Sequence, residues 1–241
     1  IVVCPGGGYV YCSRAEGEPV AMAYAARGFH TFVLRYSTGH DAAGFAPLKE
    51  VSWVIGYLRD HAEEWNINRD QIVISGSSAG AITALQAEYN LNHQDPTTRL
   101  LPIGFRYAGV IAFAGAVFSL DGAPKWEQKP APMMLFHGNS DTQVPYNKVA
   151  LFGMGMYGSA YIAKRLEEKG WAYWFYTIEY EDHSMSRSPM TENQTEILQF
   201  LNDFVKEKKS YAITTFVRDR EIPKRKTWFL PTDFINSNYA D

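Results

Sequence analysis

Short runs of β-branched and aromatic residues alternate along the chain with longer stretches of helical periodicity. Six such runs are predicted strands, at 1–4, 31–36, 71–75, 108–113, 132–137 and 173–179. Strands separated by helices are typical of a parallel sheet with crossover connections. The pattern predicts an α/β fold with a mostly parallel central sheet of about six or more strands, flanked by helices in three αβα layers.

Hydrophobic spacing places helices between the strands. Two segments have apolar residues at the spacing i, i+3, i+4 and i+7. The first set is Val51, Val54, Ile55 and Leu58, and the second set is Ile197, Phe200, Leu201 and Phe204. The first set predicts an amphipathic helix over about 47–65, and the second set predicts one near the end of the domain. A further helix is expected over about 14–27, with Pro19 in its first turn and Gly28 at its end.

Length and composition favour one globular domain. The chain has 241 residues, of which 46% are hydrophobic, and no linker or internal repeat divides it. We predict an α/β domain over 1–209 and a C-terminal tail over 210–241. The tail carries charged clusters and scattered aromatic residues, and it could wrap the domain, contact a second subunit to form a homodimer, or stay mobile.

Charge and cysteine content exclude several classes of partner. A net charge of −3 lacks the basic excess of a nucleic-acid-binding protein. The longest nearly uncharged apolar stretch, 108–120, is too short to span a membrane, which predicts a soluble protein. Cys4 and Cys12 cannot form a disulfide framework or a zinc site, and no Cys-x-x-Cys or His-x-x-x-His pair is present, so no metal is expected. No segment predicts the cellular compartment.

The segment 72–81 carries the strongest chemical signal. It is a β-branched strand that leads into Gly-Ser-Ser-Ala-Gly at 76–80 and then into alanine-rich helical sequence. A serine on a tight turn between strand and helix is held above the sheet, and flanking glycines let the neighbouring backbone pass closely. Ser78 is therefore the predicted nucleophile. A phosphate-binding turn is the alternative, but no Gly-Lys-Ser/Thr and no dinucleotide spacing of glycines supports it.

A second glycine-rich segment, Cys-Pro-Gly-Gly-Gly-Tyr at 4–9, ends the first predicted strand. Three consecutive glycines cost conformational entropy, so they are expected where the backbone must approach a ligand or adopt positive φ. We predict that the N–H groups of Gly7, Gly8 and Ala79 form an oxyanion hole, with Gly6 as an alternative donor. A glycine turn without a ligand is the structural alternative.

The base and the acid are predicted from their positions after strands. His183 follows the strand at 173–179 and precedes the last helix, which makes it the best base among six histidines. Asp141 follows the strand at 132–137 and is the predicted acid, although an Asx turn would explain it as well. Asp121 is the alternative acid. The order Ser78, Asp141, His183 is that of the α/β-hydrolases.

These motifs make the chain resemble the α/β-hydrolase superfamily from Val2 to about Lys208. It is most similar to the bacterial dienelactone-hydrolase-like esterases and the feruloyl and acetyl-xylan esterases. The resemblance rests on the glycine segments at 5–9 and 76–80, on His-Gly-Asn-Ser-Asp at 137–141 and on Asp182-His183. It implies the same nucleophile, acid, base and oxyanion donors. Two departures stand out, because Pro5 replaces the usual histidine and the chain starts directly in the strand before the glycine loop.

The resemblance implies a cofactor-free serine esterase that forms an acyl-enzyme. It further implies acetyl or hydroxycinnamoyl esters of plant polysaccharide as substrates. The segment 37–46 is short, which favours an open cleft over a lid, and Tyr9, Tyr36, Ser77 and Phe118 are the expected substrate-binding residues. An arylformamidase or peptidase is the enzymatic alternative, and a non-catalytic binding or scaffold protein is the alternative from another class.

Overall fold

A computed structural model describes residues 1–239, and within that range the chain forms ten strands. The strands are β1 (Val2–Cys4), β2 (Phe32–Val33), β3 (Val73–Ser77), β4 (Gly109–Phe113), β5 (Ala116–Ser119), β6 (Met133–Gly138), β7 (Lys148–Leu151), β8 (Met154–Gly158), β9 (Tyr173–Ile178) and β10 (Ala212–Val217). Seven of them form a central sheet in the order β10-β9-β6-β4-β3-β1-β2, and every pair of neighbours is parallel. The predicted sheet of about six or more strands is confirmed.

Helices connect the strands. They are α1 (Glu18–Ala25), α2 (Ala46–Asp60), α3 (Ala79–Asn92), α4 (Ser159–Glu168), α5 (Pro189–Glu192), α6 (Gln194–Phe200) and α7 (Pro231–Tyr239). Helix α6 continues into a π-helical segment, Leu201–Lys206. Short 3-10 turns lie at Arg14–Glu16, Gly39–Phe45, Pro96–Thr98 and His183–Ser186.

Two hydrophobic clusters cover the two faces of the central sheet. Along β4, Val110 faces one cluster and Ile111 faces the other, as the alternation of side chains along a strand requires. Helices α2, α3 and α4 pack into the first cluster, and α1 and α6 pack into the second. The sheet is therefore the middle layer of three, as the hydrophobic pattern predicted.

Some predicted elements differ in extent. The predicted strand over 31–36 shortens to Phe32–Val33 at the sheet edge, although Leu34 still donates to the Val3 carbonyl at 2.9 Å. The first helix divides into a 3-10 turn and α1. A small antiparallel sheet, β5-β8-β7, was not predicted from the sequence. Its strand β7 is largely exposed and lacks an alternating hydrophobic pattern, so no periodic signal marks it.

The segment predicted as a tail begins with a strand of the central sheet. Strand β10 pairs with β9 from Ala212 to Val217 and forms the edge. Its side chains alternate between exposed and half-buried. Division of the chain at residue 209 stays a prediction, and residues 240–241 of that tail lie outside the described range. Among the described residues, no helix is both long and apolar enough to span a membrane.

Candidate active site

Ser78 occupies a sharp turn between β3 and α3. Its backbone has φ 52° and ψ −120°, outside the regions that non-glycine residues normally adopt. The Ser78 N–H donates to the Phe113 carbonyl at 2.8 Å, which ties the turn to the neighbouring strand β4. The turn holds the hydroxyl at the carboxyl end of the sheet, beside the start of α3.

The two glycines of the 76–80 motif are required by close backbone contacts. A Cβ atom on Gly76 would lie 2.1 Å from the Gly80 carbonyl oxygen. A Cβ atom on Gly80 would lie 1.9 Å from the carbonyl oxygen of Cys4, in β1. Neither distance leaves room for a side chain, so the glycines allow the turn to pack against the strand that leads to the other glycine loop.

The structure brings Ser78, His183 and Asp141 together. The Oγ atom of Ser78 lies 2.8 Å from Nε2 of His183, and Nδ1 of His183 lies 2.7 Å from Oδ2 of Asp141. The His183 side chain is 12% exposed, whereas the Asp141 side chain is fully buried. With Nδ1–H donating to the carboxylate, the free electron pair of Nε2 faces the serine hydroxyl.

Asp141 is held in the ionised form. Burial opposes its ionisation, but the positive charge and hydrogen bonds available from His183 and His137 outweigh burial and keep the pKa of the carboxyl well below its usual range. Its other oxygen, Oδ1, accepts the backbone N–H groups of Gln143 at 2.7 Å and Val144 at 2.9 Å. The Asx turn that the sequence left as an alternative therefore exists alongside the contact with His183.

The environment of His183 favours its protonated form. Burial lowers the pKa of this imidazole, yet the negative charges of Asp141, Glu16 and Asp182 raise it above its ordinary value overall. Asp182 also accepts the Ser184 N–H at 2.9 Å and caps the 3-10 turn that begins at His183. Such an imidazole readily accepts a proton from a neighbouring hydroxyl.

The glycine loop after β1 lies beside the turn of Ser78. Gly7 and Gly8 have φ values of 120° and 61°, and a Cβ atom on Gly7 would lie 2.0 Å from the Tyr11 carbonyl oxygen. Within residues 1–239, no protein acceptor is recorded for the N–H groups of Gly7, Gly8 or Ala79. The predicted donors are thus available to a ligand, and Ala79 begins α3, where the helix dipole favours negative charge.

The proline at position 5 is supported differently from the usual histidine. The Tyr36 hydroxyl donates to the Pro5 carbonyl, and Tyr36 is only 3% exposed. This tyrosine was expected to contact substrate, but its hydroxyl is used to fix the backbone of the glycine loop. The finding corrects that expectation and explains how the loop is supported without the histidine.

Ser77 likewise lies below the site rather than in it. It is 1% exposed, and its hydroxyl is shared between the Ser186 carbonyl and Oε2 of Glu16 at 2.9 Å. It therefore connects the turn of Ser78 to the loop of His183. Its expected role in substrate binding is corrected in the same way as that of Tyr36.

An apolar cavity of about 510 Å³ adjoins the site. Its lining comprises Tyr9, Gly39, His40, Ala42, Ala43, Phe45, Pro47, Leu48, Ile82, Gln86 and Phe118. Tyr9 follows the glycine loop, and the Ile82 N–H donates to the Ser78 carbonyl at 2.9 Å, so two residues of the wall lie close to the candidate site. Tyr9 and Phe118 are the two expected substrate-binding residues that do line it.

Asp121, the alternative acid, lies elsewhere. It lines a second, more polar cavity of about 590 Å³, which shares Phe45, Gln86 and Phe118 with the first. Its carboxylate has no recorded contact with His183 in the part of the chain described by the structure. Geometry favours Asp141 as the partner of the histidine.

Two residues that the sequence analysis did not select also belong to the site. Glu16 lies against the glycine loop, since a Cβ atom on Gly6 would come within 1.8 Å of its Oε2 atom. The same oxygen accepts the Ser77 hydroxyl. His137 lies with Nε2 3.2 Å from Oδ2 of Asp141. No sequence signal identifies Glu16, whereas His137 could have been noticed as the first residue of the motif that ends in Asp141.

Comparison with known proteins agrees with this architecture. The BD-FAE family model, which describes an esterase family, matches residues 1–116. The endo-1,4-beta-xylanase B of Butyrivibrio fibrisolvens is 38% identical over 84 residues, which are 34% of this chain and 13% of that protein. The chain therefore spans about an eighth of the length of this curated relative.

Solved structures extend the similarity over most of the chain. MGS-M1, an alpha/beta hydrolase enzyme from a Medee basin deep-sea metagenome library, is 26% identical with a TM-score of 0.60, covering 83% of this chain and 80% of that one. A thermophilic esterase from Thermogutta terrifontis is 20% identical with a TM-score of 0.64, covering 84% and 82%.

A third structure is named for two activities. The acetyl ester-xyloside bifunctional hydrolase from Caldicellulosiruptor lactoaceticus is 20% identical with a TM-score of 0.61, covering 83% of this chain and 81% of that one. Together with the fold, these similarities confirm the resemblance that the sequence motifs predicted: the chain has the α/β-hydrolase fold, and the solved structures that it resembles include esterases.

Proposed function

We propose that the protein hydrolyses carboxylic esters by transferring the acyl group to Ser78. The observation that carries this proposal is the continuous set of hydrogen bonds from Ser78 through His183 to Asp141. The residues come from three separate loops at the carboxyl ends of β3, β9 and β6. The class of relatives supports the same chemistry.

The acylation step follows from the geometry. His183 Nε2 takes the proton of the Ser78 hydroxyl while Oγ attacks the ester carbonyl carbon. The carbonyl oxygen becomes an oxyanion, and in this proposal the N–H groups of Gly7, Gly8 and Ala79 donate to it and stabilise it. Collapse of the tetrahedral intermediate breaks the bond to the alcohol oxygen, which receives the proton from His183. The product is an acyl-serine and a free alcohol.

Deacylation repeats the sequence with water. His183 removes a proton from water, the hydroxide oxygen attacks the acyl carbon, and the proton returns to Ser78 Oγ as it leaves. Throughout, the ionised Asp141 keeps the Nδ1–H tautomer of His183 and stabilises its positive charge. The carboxylic acid and the free enzyme are then released.

For the substrate, we propose acetyl or hydroxycinnamoyl esters of plant polysaccharide. A xylanase shares sequence with part of this chain, and one structural relative is named as an acetyl ester-xyloside hydrolase. The apolar cavity beside Ser78, with Tyr9 and Phe118 in its wall, has a size and polarity suited to an acyl group.

Three ester substrates and one variant test this proposal. Release of 4-nitrophenol from 4-nitrophenyl acetate should be rapid in the wild type and should fall by about 10⁵-fold or more in Ser78→Ala. Release of acetate and ferulate from acetylated and feruloylated xylan identifies the acyl group. A folded wild type without turnover and without labelling of Ser78 by a fluorophosphonate would refute the esterase proposal. Turnover of formyl-amides alone would instead indicate an amide hydrolase.

A further inference from the structure

A second histidine contacts the carboxylate that orients His183. His137 lies near the end of β6, and its side chain is fully buried. Its Nε2 atom lies 3.2 Å from Oδ2 of Asp141 and 3.2 Å from the Val144 carbonyl oxygen, while Nδ1 lies 2.9 Å from Oγ of Ser159. Both ring nitrogens therefore have protein partners.

The partners determine where the proton of His137 lies. Nε2 faces a carboxylate and a carbonyl, and both can only accept hydrogen bonds. Nε2 must therefore carry a proton, because an unprotonated Nε2 would direct its electron pair at these two acceptor oxygens. Nδ1 faces a hydroxyl, and the Ser159 hydroxyl can donate to Nδ1 or to the Gly115 carbonyl at 3.3 Å. The constraint falls on Nε2 alone.

This proton is within reach of two acceptors, the Val144 carbonyl oxygen and Oδ2 of Asp141, each 3.2 Å from Nε2. Oδ2 therefore lies between two imidazoles, since it also accepts Nδ1–H of His183 at 2.7 Å. Oδ1 accepts two backbone N–H groups, from Gln143 and Val144. With Oδ1 bonded to two backbone N–H groups and Oδ2 in contact with both imidazoles, rotation of the carboxylate would break several of these buried contacts.

We propose that His137 is a positioning residue for the hydrolytic reaction, acting by donating from Nε2 to Oδ2 of Asp141. This inference rests on the proposed function of Ser78, His183 and Asp141. His137 touches no substrate. It fixes the direction of the carboxylate and offsets part of its negative charge. Oδ2 is then a weaker acceptor for Nδ1–H of His183 than it would be without the donor from His137.

The charged and titratable neighbours set the sign of the effect. His137 faces Asp141 and the edge of the Tyr146 ring, whose centroid lies 5.7 Å away. His183 faces Asp141, Glu16 and Asp182. Loss of the donor from His137 concentrates negative charge on Oδ2, which binds protonated His183 more strongly. The pKa of His183 then rises. Because neutral His183 is the active base, the rise of kcat/KM with pH, which is the acid limb of the pH profile, should move to higher pH.

Two amide substitutions separate the two ring nitrogens of His137. In His137→Gln the amide nitrogen can occupy the place of Nε2, whereas in His137→Asn it can occupy the place of Nδ1. With 4-nitrophenyl acetate, His137→Gln should keep the acid limb of kcat/KM within about 0.2 pH units of the wild type. His137→Asn should raise it by about half a unit and lower kcat/KM by about tenfold, as expected for a lost hydrogen bond to a charged group.

A purely structural role for His137 gives a different result. If both variants are folded by circular dichroism and both keep the wild-type limb, the proposal is overturned even if their melting temperatures fall. If His137→Asn shifts the limb and His137→Gln does not, it is supported.

A measurement on the wild type needs no substrate and uses a variant only to assign the signal. Nitrogen-15 spectra of imidazole-labelled protein, assigned to His137 by its loss in His137→Gln, should show a protonated Nε2 from pH 6 to 9. An unprotonated Nε2 overturns the proposal directly. Because this reading is independent of turnover, a protonated Nε2 in a protein without esterase activity would refute the proposed function while leaving the contact with Asp141 intact.

Discussion

Nε2 of His183 lies 2.8 Å from Oγ of Ser78, although the two residues are 105 positions apart in the chain. Asp141 reaches the other side of the same imidazole from a third loop, 42 positions before His183. Each loop follows a strand of one parallel sheet, and the carboxyl ends of such strands meet at one edge. The chemistry proposed here depends on that edge.

Replacing the acid tests the proposed tautomer of His183. In Asp141→Asn, the amide would place a donor or a neutral acceptor beside Nδ1, and kcat/KM for 4-nitrophenyl acetate should fall by about 10⁴-fold. The same substitution at Asp121 is the matched control and should change it by less than about threefold. A larger loss in Asp121→Asn than in Asp141→Asn would reverse the assignment of the acid.

The charge of Glu16 should be visible in the pH dependence. Because Glu16 is one of the groups that raise the pKa of His183, Glu16→Gln should move the acid limb of kcat/KM to lower pH. The amide oxygen of glutamine can still accept the Ser77 hydroxyl, so the hydrogen bond is preserved. Glu18→Gln is the control, because Glu18 lies two positions further along the chain and is paired with Arg14 at the surface. A limb at unchanged or higher pH in Glu16→Gln contradicts this prediction.

Glycine 80 should not tolerate even alanine. The added Cβ would lie 1.9 Å from the carbonyl oxygen of Cys4, a backbone atom that cannot move aside as a flexible side chain could. The substitution should destabilise the fold by about 3 kcal/mol or more. Gly56→Ala is the comparison. Its Cβ would lie 3.2 Å from the Leu100 carbonyl oxygen, and Gly56 lies within helix α2, where alanine has a higher helix propensity than glycine. Denaturant unfolding of both variants measures the difference, and equal midpoints would disprove the close approach.

The apolar cavity predicts which acyl groups are accepted. Ile82→Phe adds bulk to the wall of the cavity one turn from Ser78. It should lower kcat/KM for butyryl and feruloyl 4-nitrophenyl esters by at least about tenfold relative to the acetyl ester. Leu100→Phe, at an exposed position outside the cavity, serves as the control. An unchanged ratio in Ile82→Phe would mean that the acyl group binds elsewhere.

Truncation tests the boundary of the domain. Removal of residues 218–241 should leave a folded protein, because the central sheet is complete at Val217. Removal of 210–241 also deletes β10, which uncovers β9 and breaks the hydrogen bond from Trp174 Nε1 to Thr215 Oγ1 at 3.1 Å. This shorter chain should aggregate or melt at a lower temperature, since an exposed strand edge promotes association. Equal melting temperatures would support a domain that ends at residue 209.

Features with a local cause could be predicted from the sequence. The strands of the sheet centre are short β-branched runs, and the turn of Ser78 is marked by glycines whose absence of a side chain is a steric requirement. Chain order then selected Asp141 and His183, which the structure places within hydrogen-bond distance of each other. How these residues act in the reaction remains a prediction.

Features set by tertiary contacts could not be predicted. Tyr36 and Ser77 were expected at the substrate, yet their hydroxyls are bound to Pro5 and to Ser186, which no local pattern indicates. The strand β10 was missed because only one of its faces is partly covered, so its hydrophobic signal is weak. Glu16 reaches the site through a 3-10 turn whose position depends on the glycine loop.

The backbone of Ser78 also has a consequence for refolding. Its N–H is bound to Phe113 in β4, and the next residue of that strand connection, Ala114, donates to Phe136 in β6 at 2.8 Å. The serine can hold its unusual dihedral angles only after these strands have paired. Recovery of the proposed esterase activity after dilution from denaturant therefore reports the pairing of these strands, and it should lag behind the return of helical circular dichroism.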